Sequence, residues 1–503
     1  MSSAPPLGSS GAPATAVWQY APLAVVLLVI GALFAWYMQF VGIGMIWRFD
    51  EYYTYERSIS FARMDDWWAV YSANKPTLKK PPMQYWMSGA LFEMGYRDVI
   101  ALRVPSMIFA ALTLIATAFL ARTLAPGHPW TMLGAVLLLA SSQTFWADAT
   151  SAMLDVGSAF FVTIGLMAML AAFQNRRYWP LFALTVFLGG MQKGPVALAF
   201  LVFALIALAV TGPLQKKRVR EIVWNRHFAF WAFVSLVLAF AWQLYMGLRF
   251  PGEDAMQGSV EKEMFKRFFP SMDDIAAYDW GELRTLILGD DPWLRGVGTL
   301  ALIALPFTAK RPILFALTGV GLFMILVMSA GSQQIHARYM LVIVPLQAAA
   351  IAAFLATLLR SDSAGLVASV ALCFALAGPL QPLENLRLER ENFRGATLAQ
   401  IMAPVRENLQ PDENLLICEM DPTMRFPRGA YTVYAADTRE FTRLRHLDVA
   451  AALSRVDYSG GAIRGFCTES QLAQISDQLA NVETSPLPGG YLQFRATGLV
   501  TPD

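Results

Sequence analysis

Asp50-Glu51-Tyr52-Tyr53-Thr54-Tyr55-Glu56-Arg57 follows closely on a first apolar run. The same loop continues through Lys79-Lys80-Pro81-Pro82-Met83-Gln84-Tyr85-Trp86, and Arg103-Val104-Pro105-Ser106 then opens a second apolar run. A membrane protein that neither binds nor catalyses has little use for acids, paired lysines and aromatics in one long loop between two spans. Chemistry is therefore expected in this loop.

The rest of the composition makes those runs membrane spans. Of 503 residues, 56% are hydrophobic and 15% charged, with a mean hydropathy of +0.44, whereas soluble domains carry about 25% charged residues. Apolar runs long enough to cross a hydrocarbon core of ~30 Å recur from residue 18 to about residue 381. The reading is a mainly α, polytopic membrane protein with about eleven spans: 18–41, 101–121, 131–147, 152–173, 178–192, 194–212, 228–247, 295–309, 312–330, 339–359 and 364–381. Residues 1–17 read as a disordered leader without the basic region of a cleaved signal peptide. A net charge of +2 gives no basis for a nucleic-acid partner.

Arginine and lysine set the orientation. With the N-terminus in the cytoplasm, the short inner loops carry Arg122, Arg176 and Arg177, then Lys216, Lys217, Arg218, Arg220 and Arg226, then Lys310 and Arg311, and Arg360. Every short inner loop is then basic, as the positive-inside rule requires. Asp50, Glu51, Lys79, Lys80, Asp148, Asp155, Lys193, His336 and Arg338 all come to the outer face, which is the arrangement a membrane-surface active site needs.

Three outer segments are long enough to hold structure. In loop 48–100, residues 50–63 read as an amphipathic helix with Tyr52, Tyr55, Ile59 and Ala62 on one side and Glu51, Arg57 and Arg63 elsewhere, and 83–94 reads as a second short helix. Helices of this kind tend to lie in the interfacial plane. Loop 248–294 is rich in charge, with a helix expected over 259–269. Residues 382–503 have the composition of a small soluble α/β domain, with strands at 415–418, 431–434 and 491–494 and a helix from Gln471 to Val482. Cys418 and Cys467 fall in this region and can pair if it is extracytoplasmic, while Cys373 lies in a span.

The acidic pair after the first span, Lys80-Pro81-Pro82 followed by Tyr85-Trp86, and Arg103-Val104-Pro105-Ser106 together resemble the GT-C glycosyltransferases. Within that superfamily they are similar to bacterial relatives of the protein O-mannosyltransferases and of the lipid A aminoarabinose transferase. Met153-Leu154-Asp155, Gln192-Lys193-Gly194-Pro195, Pro292-Trp293 and Arg338-Tyr339 with Pro345 continue the resemblance in order, from about residue 49 to 346. In the aminoarabinose transferase a glutamate is expected just before the lysine of Lys-Pro-Pro. Lys79 stands there, which weakens the carry-over of that enzyme's particular substrate and of a metal site built on that carboxylate; a divalent metal stays possible but is not indicated.

The resemblance implies transfer of a sugar from a polyprenyl phosphate to an envelope acceptor (lipid A, another glycolipid, a polysaccharide or protein) on the periplasmic face of a bacterial inner membrane. The leaving polyprenyl phosphate gathers negative charge that cations must stabilise. Lys80, Lys193 and Arg338 are the candidates, supported by Lys79 and Tyr339, and arginine can grip two phosphate oxygens at once. A hydroxyl acceptor needs a base. Asp50 is the candidate, with Asp155 orienting the acceptor and Glu51 beside them. Tyr53, Tyr85, Trp86 and His336 are candidates for substrate contact. Each has a plainer role in competition: helix capping for Asp50-Glu51, snorkelling for the lysines, and interfacial packing for the aromatics. No cofactor follows from the sequence, and no metal-binding spacing is present. The competing function is a transporter or flippase, but no internal repeat of the transporter kind is evident.

Overall fold

The computed structural model describes residues 14–42, 49–72, 75–96, 99–194, 196–214, 225–251, 291–311, 313–330, 337–377, 395–410, 413–418, 441–444 and 461–500. The first membrane helix is α1 (Ala14–Val41), and the loop helices are α2 (Phe49–Met64) and α3 (Met83–Glu93). Next come α4 (Val99–Leu124), α5 (Thr131–Ala140), α6 (Gln143–Ala149), α7 (Asp155–Gln174), α8 (Trp179–Lys193), α9 (Val196–Leu214) and α10 (Arg226–Arg249). After the second outer loop follow α11 (Pro292–Ala309), α12 (Ile313–Ala330), a 3₁₀ segment (Ala337–Ile343), α13 (Val344–Leu359) and α14 (Asp362–Ala377).

Among the described residues, five helical stretches are long and apolar enough to cross a membrane: Tyr20–Val41, Val99–Leu124, Asp155–Gln174, Arg226–Arg249 and Tyr339–Leu359. The fold is thus the expected multi-pass helical bundle, but not a set of eleven uniform spans. The expected span 131–147 is two helices. At 1.5 Å per residue, the ten residues of α5 reach only about 15 Å, and the chain then breaks at Ser141-Ser142. The break is built by capping. Ser142 accepts from the Phe145 N–H, and the Asp291 carboxylate takes the Ser142 hydroxyl at 2.7 Å and the Gln143 and Thr144 N–H groups at 2.8 and 3.2 Å.

The bundle centres on α13, whose residues Ala348 to Ala353 are all buried against α4, α5, α11 and α14. Inside a bilayer, helices gain from close packing rather than from water exclusion, so small residues concentrate at such contacts. Gly298 of α11 is one of them: a Cβ there would lie 2.5 Å from the Gln347 Cβ.

In the loop helix α2, burial runs round the helix rather than along one apolar stripe. In α2 the apolar Tyr52, Tyr55 and Ile59 are buried as expected, but so are Glu51, Thr54, Glu56, Arg57, Ser58 and Ser60. A helix with hydrogen-bonding partners all round is enclosed by protein. What encloses it on one side is the C-terminal region: Tyr52, Tyr55, Ile59, Phe92 and Leu102 form one core with Ile401, Met402 and Val405 of α15 (Gly395–Asn408) and with Leu415, Ile417, Phe466 and Tyr491.

Strands β1 (Tyr71–Ser72) and β2 (Lys75–Pro76) pair in the first outer loop. The C-terminal sheet contains β3 (Asn414–Cys418), β4 (Phe441–Leu444), β5 (Ile463–Thr468), β7 (Glu483–Leu487) and β8 (Tyr491–Ala496), ordered β4-β3-β5-β8-β7, with β6 (Leu479–Ala480) and β9 (Gly498–Leu499) paired beside it. The first three strands are parallel, and β8 and β7 add antiparallel. Strand β3 begins at Asn414, one residue before its expected start, and β8 covers 491–496. The expected helix 471–482 is instead the short helix Glu469–Ala473, opened by a Thr468/Gln471 capping box. A 3₁₀ turn and strand Leu479–Ala480 follow, because Ile475 and Leu479 turn in towards the second core beneath the sheet. The expected strand 431–434 and helix 259–269 lie outside the described residues. Cys418 and Cys467 are disulfide-bonded across β3 and β5.

At the edge of this sheet, Glu413 accepts from Arg464 Nε at 2.7 Å, Arg495 Nε at 2.7 Å and the Gln410 N–H at 3.0 Å. Burial raises its carboxyl pKa, but the Arg464, Gln410 and Arg495 hydrogen bonds outweigh that and hold it at about 2. A pKa lower in the folded than in the unfolded state stabilises the fold above the unfolded value, and the gain is lost as pH falls towards the folded value. Hydrogen exchange of β3 and β5 amides in the full chain, corrected for intrinsic rates, is therefore expected to stay slow at pH 5 and to accelerate between pH 4 and 2. Unchanged protection down to pH 2 would contradict this.

Candidate active site

Asp50 lies in the first turn of α2 and is half-buried. The next residues stitch its helix to the segment leading into α7. Glu51 Oε1 accepts the Ala152 N–H at 2.9 Å, and the Thr54 hydroxyl donates to the Ala152 carbonyl at 2.9 Å. Three residues on, Asp155 opens α7 with its side chain buried. Both backbone groups of Ala152 are thus held by α2, which fixes the first carboxylate helix relative to the second.

Glu51 is wholly buried in an ion pair with Arg103. Arg103 Nε meets Oε1 at 2.8 Å, Nη2 meets Oε2 at 3.3 Å, and Nη1 donates to the Val41 carbonyl at 2.8 Å. Arg103 therefore ties together the end of α1, the start of α2 and the start of α4. Glu51 does not share the half-buried surface on which Asp50 lies.

Asp155 forms an ion pair with Lys193, the last residue of α8. The Lys193 ammonium also lies 4.3 Å from the centroid of the Tyr339 ring, within cation–π range. Asp155, Lys193 and Tyr339, separated by 38 and 146 positions in sequence, therefore meet in one cluster built from α7, α8 and the 3₁₀ segment. Behind it runs a buried amide relay. Gln192 Nε2 donates to Gln84 Oε1 at 2.8 Å, Gln84 Nε2 donates to the Ser106 hydroxyl at 2.8 Å, and that hydroxyl donates to the Met153 carbonyl at 3.0 Å. The relay joins α3, α4, α8 and the segment before Asp155. Gly157 leaves it room, since a Cβ there would lie 2.3 Å from Gln192 Nε2.

The Lys79-Lys80-Pro81-Pro82 segment leads directly into α3. Lys79 is exposed, Lys80 half-buried, and Pro81 and Pro82 buried. Tyr85 is wholly buried and its hydroxyl accepts from Arg57 Nη1 at 2.9 Å, while half-buried Trp86 donates from Nε1 to the Trp67 carbonyl at 2.6 Å. Tyr53 is half-buried one turn after Asp50. Asp148 is wholly buried in α6. The backbone of Arg338 belongs to the 3₁₀ segment next to Tyr339, but its side chain and all of His336 lie outside the described residues.

Two features carried no role in the sequence reading. Arg103 opens a membrane helix, and an ionisable residue at that depth signals a partner. Asp66 was not singled out at all. Its carboxylate binds Arg249 at the end of α10 at 2.9 Å, the Tyr71 hydroxyl at 2.9 Å and the Trp68 N–H at 3.0 Å. Burial raises its pKa, but the hydrogen bonds from Tyr71, Trp68 and Arg249 outweigh that and hold it below its ordinary value. This contact pins the segment from Asp66 to Tyr71 to the end of α10.

Likeness to known proteins covers the N-terminal half of the chain in sequence and nearly all of it in fold. Residues 23–250 match the family described as dolichyl-phosphate-mannose-protein mannosyltransferase. The chain is 26% identical over 278 residues to the undecaprenyl phosphate-alpha-4-amino-4-deoxy-L-arabinose arabinosyl transferase of Pseudomonas paraeruginosa, covering 53% of this chain and 46% of that protein. It is 26% identical over 256 residues to the protein of the same name from Pectobacterium atrosepticum, covering 50% and 44%. The chain thus spans about half the length of the curated relatives it matches. The crystal structure of ArnT from Cupriavidus metallidurans bound to undecaprenyl phosphate superposes with a TM-score of 0.70 at 13% identity, over 95% of this chain and 98% of that one. The apo oligosaccharyltransferase of Archaeoglobus fulgidus does so with a TM-score of 0.51 at 11% identity, over 83% and 64%. The chain is thus similar to the protein mannosyltransferase family over residues 23–250, and it shares the fold of the ArnT structure over nearly its whole length.

Proposed function

We propose that the protein moves a sugar from a polyprenyl-phosphate-linked donor to an envelope acceptor on the periplasmic face of a bacterial inner membrane. The observation that carries this reading is the convergence of Asp155, Lys193 and Tyr339 beside the helix of Asp50, with Lys80 leading into the helix that shares their amide relay. Basic inner loops support the orientation. The Cys418–Cys467 disulfide supports an oxidising compartment for the C-terminal region.

In this reading, Asp50 accepts the proton of an acceptor hydroxyl as its oxygen attacks the anomeric carbon. The bond from that carbon to the phosphate oxygen breaks with inversion, and polyprenyl phosphate leaves. Lys80, Lys193 and Arg338, with Lys79 at the rim, stabilise the charge gathering on the phosphate. Asp155 orients the acceptor and holds Lys193 over Tyr339. Tyr53 and Trp86, both half-buried, are placed to stack on a sugar. Where the acceptor oxygen belongs to a phosphate it needs no deprotonation, and Asp50 then only orients it.

The test is reconstitution of the full chain in liposomes with undecaprenyl-phosphate-linked sugars, mannose and 4-amino-4-deoxy-arabinose among them, and an envelope glycolipid extract. Mass spectrometry is expected to find the acceptor heavier by one sugar. Accumulation of the unchanged substrate inside liposomes, without a covalent product, would refute the reading. A charge-assisted hydrogen bond is worth about 1.5–3 kcal/mol, so Lys193→Met is expected to weaken undecaprenyl phosphate binding about 10- to 100-fold. Equal affinity in a titration would remove Lys193 from the phosphate site.

A further inference from the structure

Arg57 has no part in the reading above, yet it is among the least accommodated groups in the protein. Its side chain is 95% buried by exposure, at 5%. Among the described residues its Nε, also buried, has no hydrogen-bond partner. Taking a guanidinium out of water costs several kcal/mol, and an apolar side chain of similar volume often serves stability as well or better. A buried N–H left unsatisfied calls for an explanation.

The neighbours of Arg57 supply one. Nη1 donates to the Tyr85 hydroxyl at 2.9 Å, and the guanidinium carbon lies 5.2 Å from the Tyr53 ring centroid and 5.6 Å from that of Tyr85. Asp50, Tyr53 and Arg57 occupy one face of α2 at spacings of three and four, so Tyr53 stands one turn from each. Tyr85 lies in the first turn of α3, five residues after Lys80. The Arg57–Tyr85 bond therefore joins the helix bearing the carboxylate to the helix that the lysine segment enters. Burial lowers the Arg57 pKa, but Tyr85, Glu56 and Asp50 outweigh that and raise it above its ordinary value, so the group stays a cation.

We propose that Arg57 is a positioning residue: clamped between the Tyr53 and Tyr85 rings, it sets the distance between Asp50 and Lys80. The proposal rests on the glycosyl-transfer reading for its consequence in catalysis, but the clamp itself is independent of that reading. A misplacement of about 1 Å between reacting groups can cost about 100-fold in rate, so a small rigid link between base and phosphate cation has a large effect. Ser58 and Ser60 on the same helix satisfy only backbone carbonyls of α2 and make no such link.

The experiment has two arms, both on the full chain in liposomes. In the first, spin labels at Met64→Cys and Glu93→Cys, exposed positions at the far ends of α2 and α3, are introduced into a Cys373→Ser background. Arg57→Met is expected to broaden the label-to-label distance distribution, and Arg57→Lys to restore much of its width. An unchanged distribution in Arg57→Met overturns the clamp, whatever the protein's turnover.

In the second arm, Arg57→Met is expected to lower kcat about 30-fold with undecaprenyl phosphate affinity within about twofold, as loss of alignment rather than of binding predicts. Arg57→Lys is expected to recover most of the rate. Tyr85→Phe is expected to lose about 5-fold, and the double variant no more than Arg57→Met alone, because both substitutions cut one link. Additive losses, or affinity falling in step with kcat, overturn the positioning role. If Arg57→Met fails to fold, Tyr85→Phe decides both arms: a broadened distribution with lower kcat supports the clamp, and wild-type values in both refute it. Wild-type protein that transfers no sugar refutes the functional reading instead, while the label distances still decide the clamp.

Discussion

Asp50→Asn is expected to lower sugar transfer by about 100- to 10,000-fold, the range associated with loss of a general base, while undecaprenyl phosphate affinity stays within about twofold. The substitution isolates charge from shape. Asparagine fits the same space and is as good a residue as aspartate at a helix start, so α2 keeps its first turn. Glu51 and Thr54, through Ala152, together with Arg103 and the Arg57–Tyr85 bond, fix α2 to its surroundings. A fall in rate with intact binding therefore reports proton acceptance. A variant keeping more than a tenth of the wild-type rate with a hydroxyl acceptor would show that Asp50 only starts a helix.

The largest stability effect is expected from Arg103→Met. Removing one member of a buried ion pair costs about 3–5 kcal/mol, because the other charge stays buried without compensation. Here Glu51 and Arg103 are both fully buried, and Arg103 also satisfies the Val41 carbonyl. Arg103→Met is expected to lower the midpoint of thermal unfolding in detergent by several degrees and to reduce the amount of protein in the membrane. Replacing both residues in Glu51→Leu/Arg103→Met removes the stranded carboxylate and is expected to recover at least half of the loss. A single variant as stable as wild type would show that water or another residue compensates Glu51. A double variant no better than the single would place the cost in the Val41 carbonyl and the Ala152 N–H, which both lose their partners.

The apolar periodicity and length of α1, α4, α7 and α10 made the bundle legible in the sequence, and the ordered motifs made the likeness to the protein mannosyltransferases legible. Hydropathy failed where capping decides. The polar run Ser141-Ser142-Gln143-Thr144 inside 131–147 was read through as part of one span, and the break at Ser142 depends on Asp291, a carboxylate 149 positions away in sequence. The order of Asp50, Lys80, Asp155, Lys193 and Tyr339 along the chain identified the candidate site, but not which residues touch. The Asp155–Lys193–Tyr339 cluster needed three elements folded together. Arg57 was misread for a similar reason. On a helical wheel it sits on the polar side of α2, and only the fold reveals that this side meets α3 and not water. Residues 471–482 read as one helix because their apolar spacing suits a helix, yet Leu479 pairs with Leu499 in a short two-stranded ladder beside the sheet.

The core shared by α2 and the C-terminal sheet ties competence to biosynthetic order. Tyr52, Tyr55 and Ile59 are made early, with the first membrane helix, but Ile401, Leu415, Phe466 and Tyr491, which back them, leave the ribosome long afterwards. A nascent chain with every membrane helix inserted still has the helix of Asp50 exposed along its rear face. Such a chain holds Asp50 on a loosely supported element, and that support is complete only once the segment from Ile401 to Tyr491 has folded against α2.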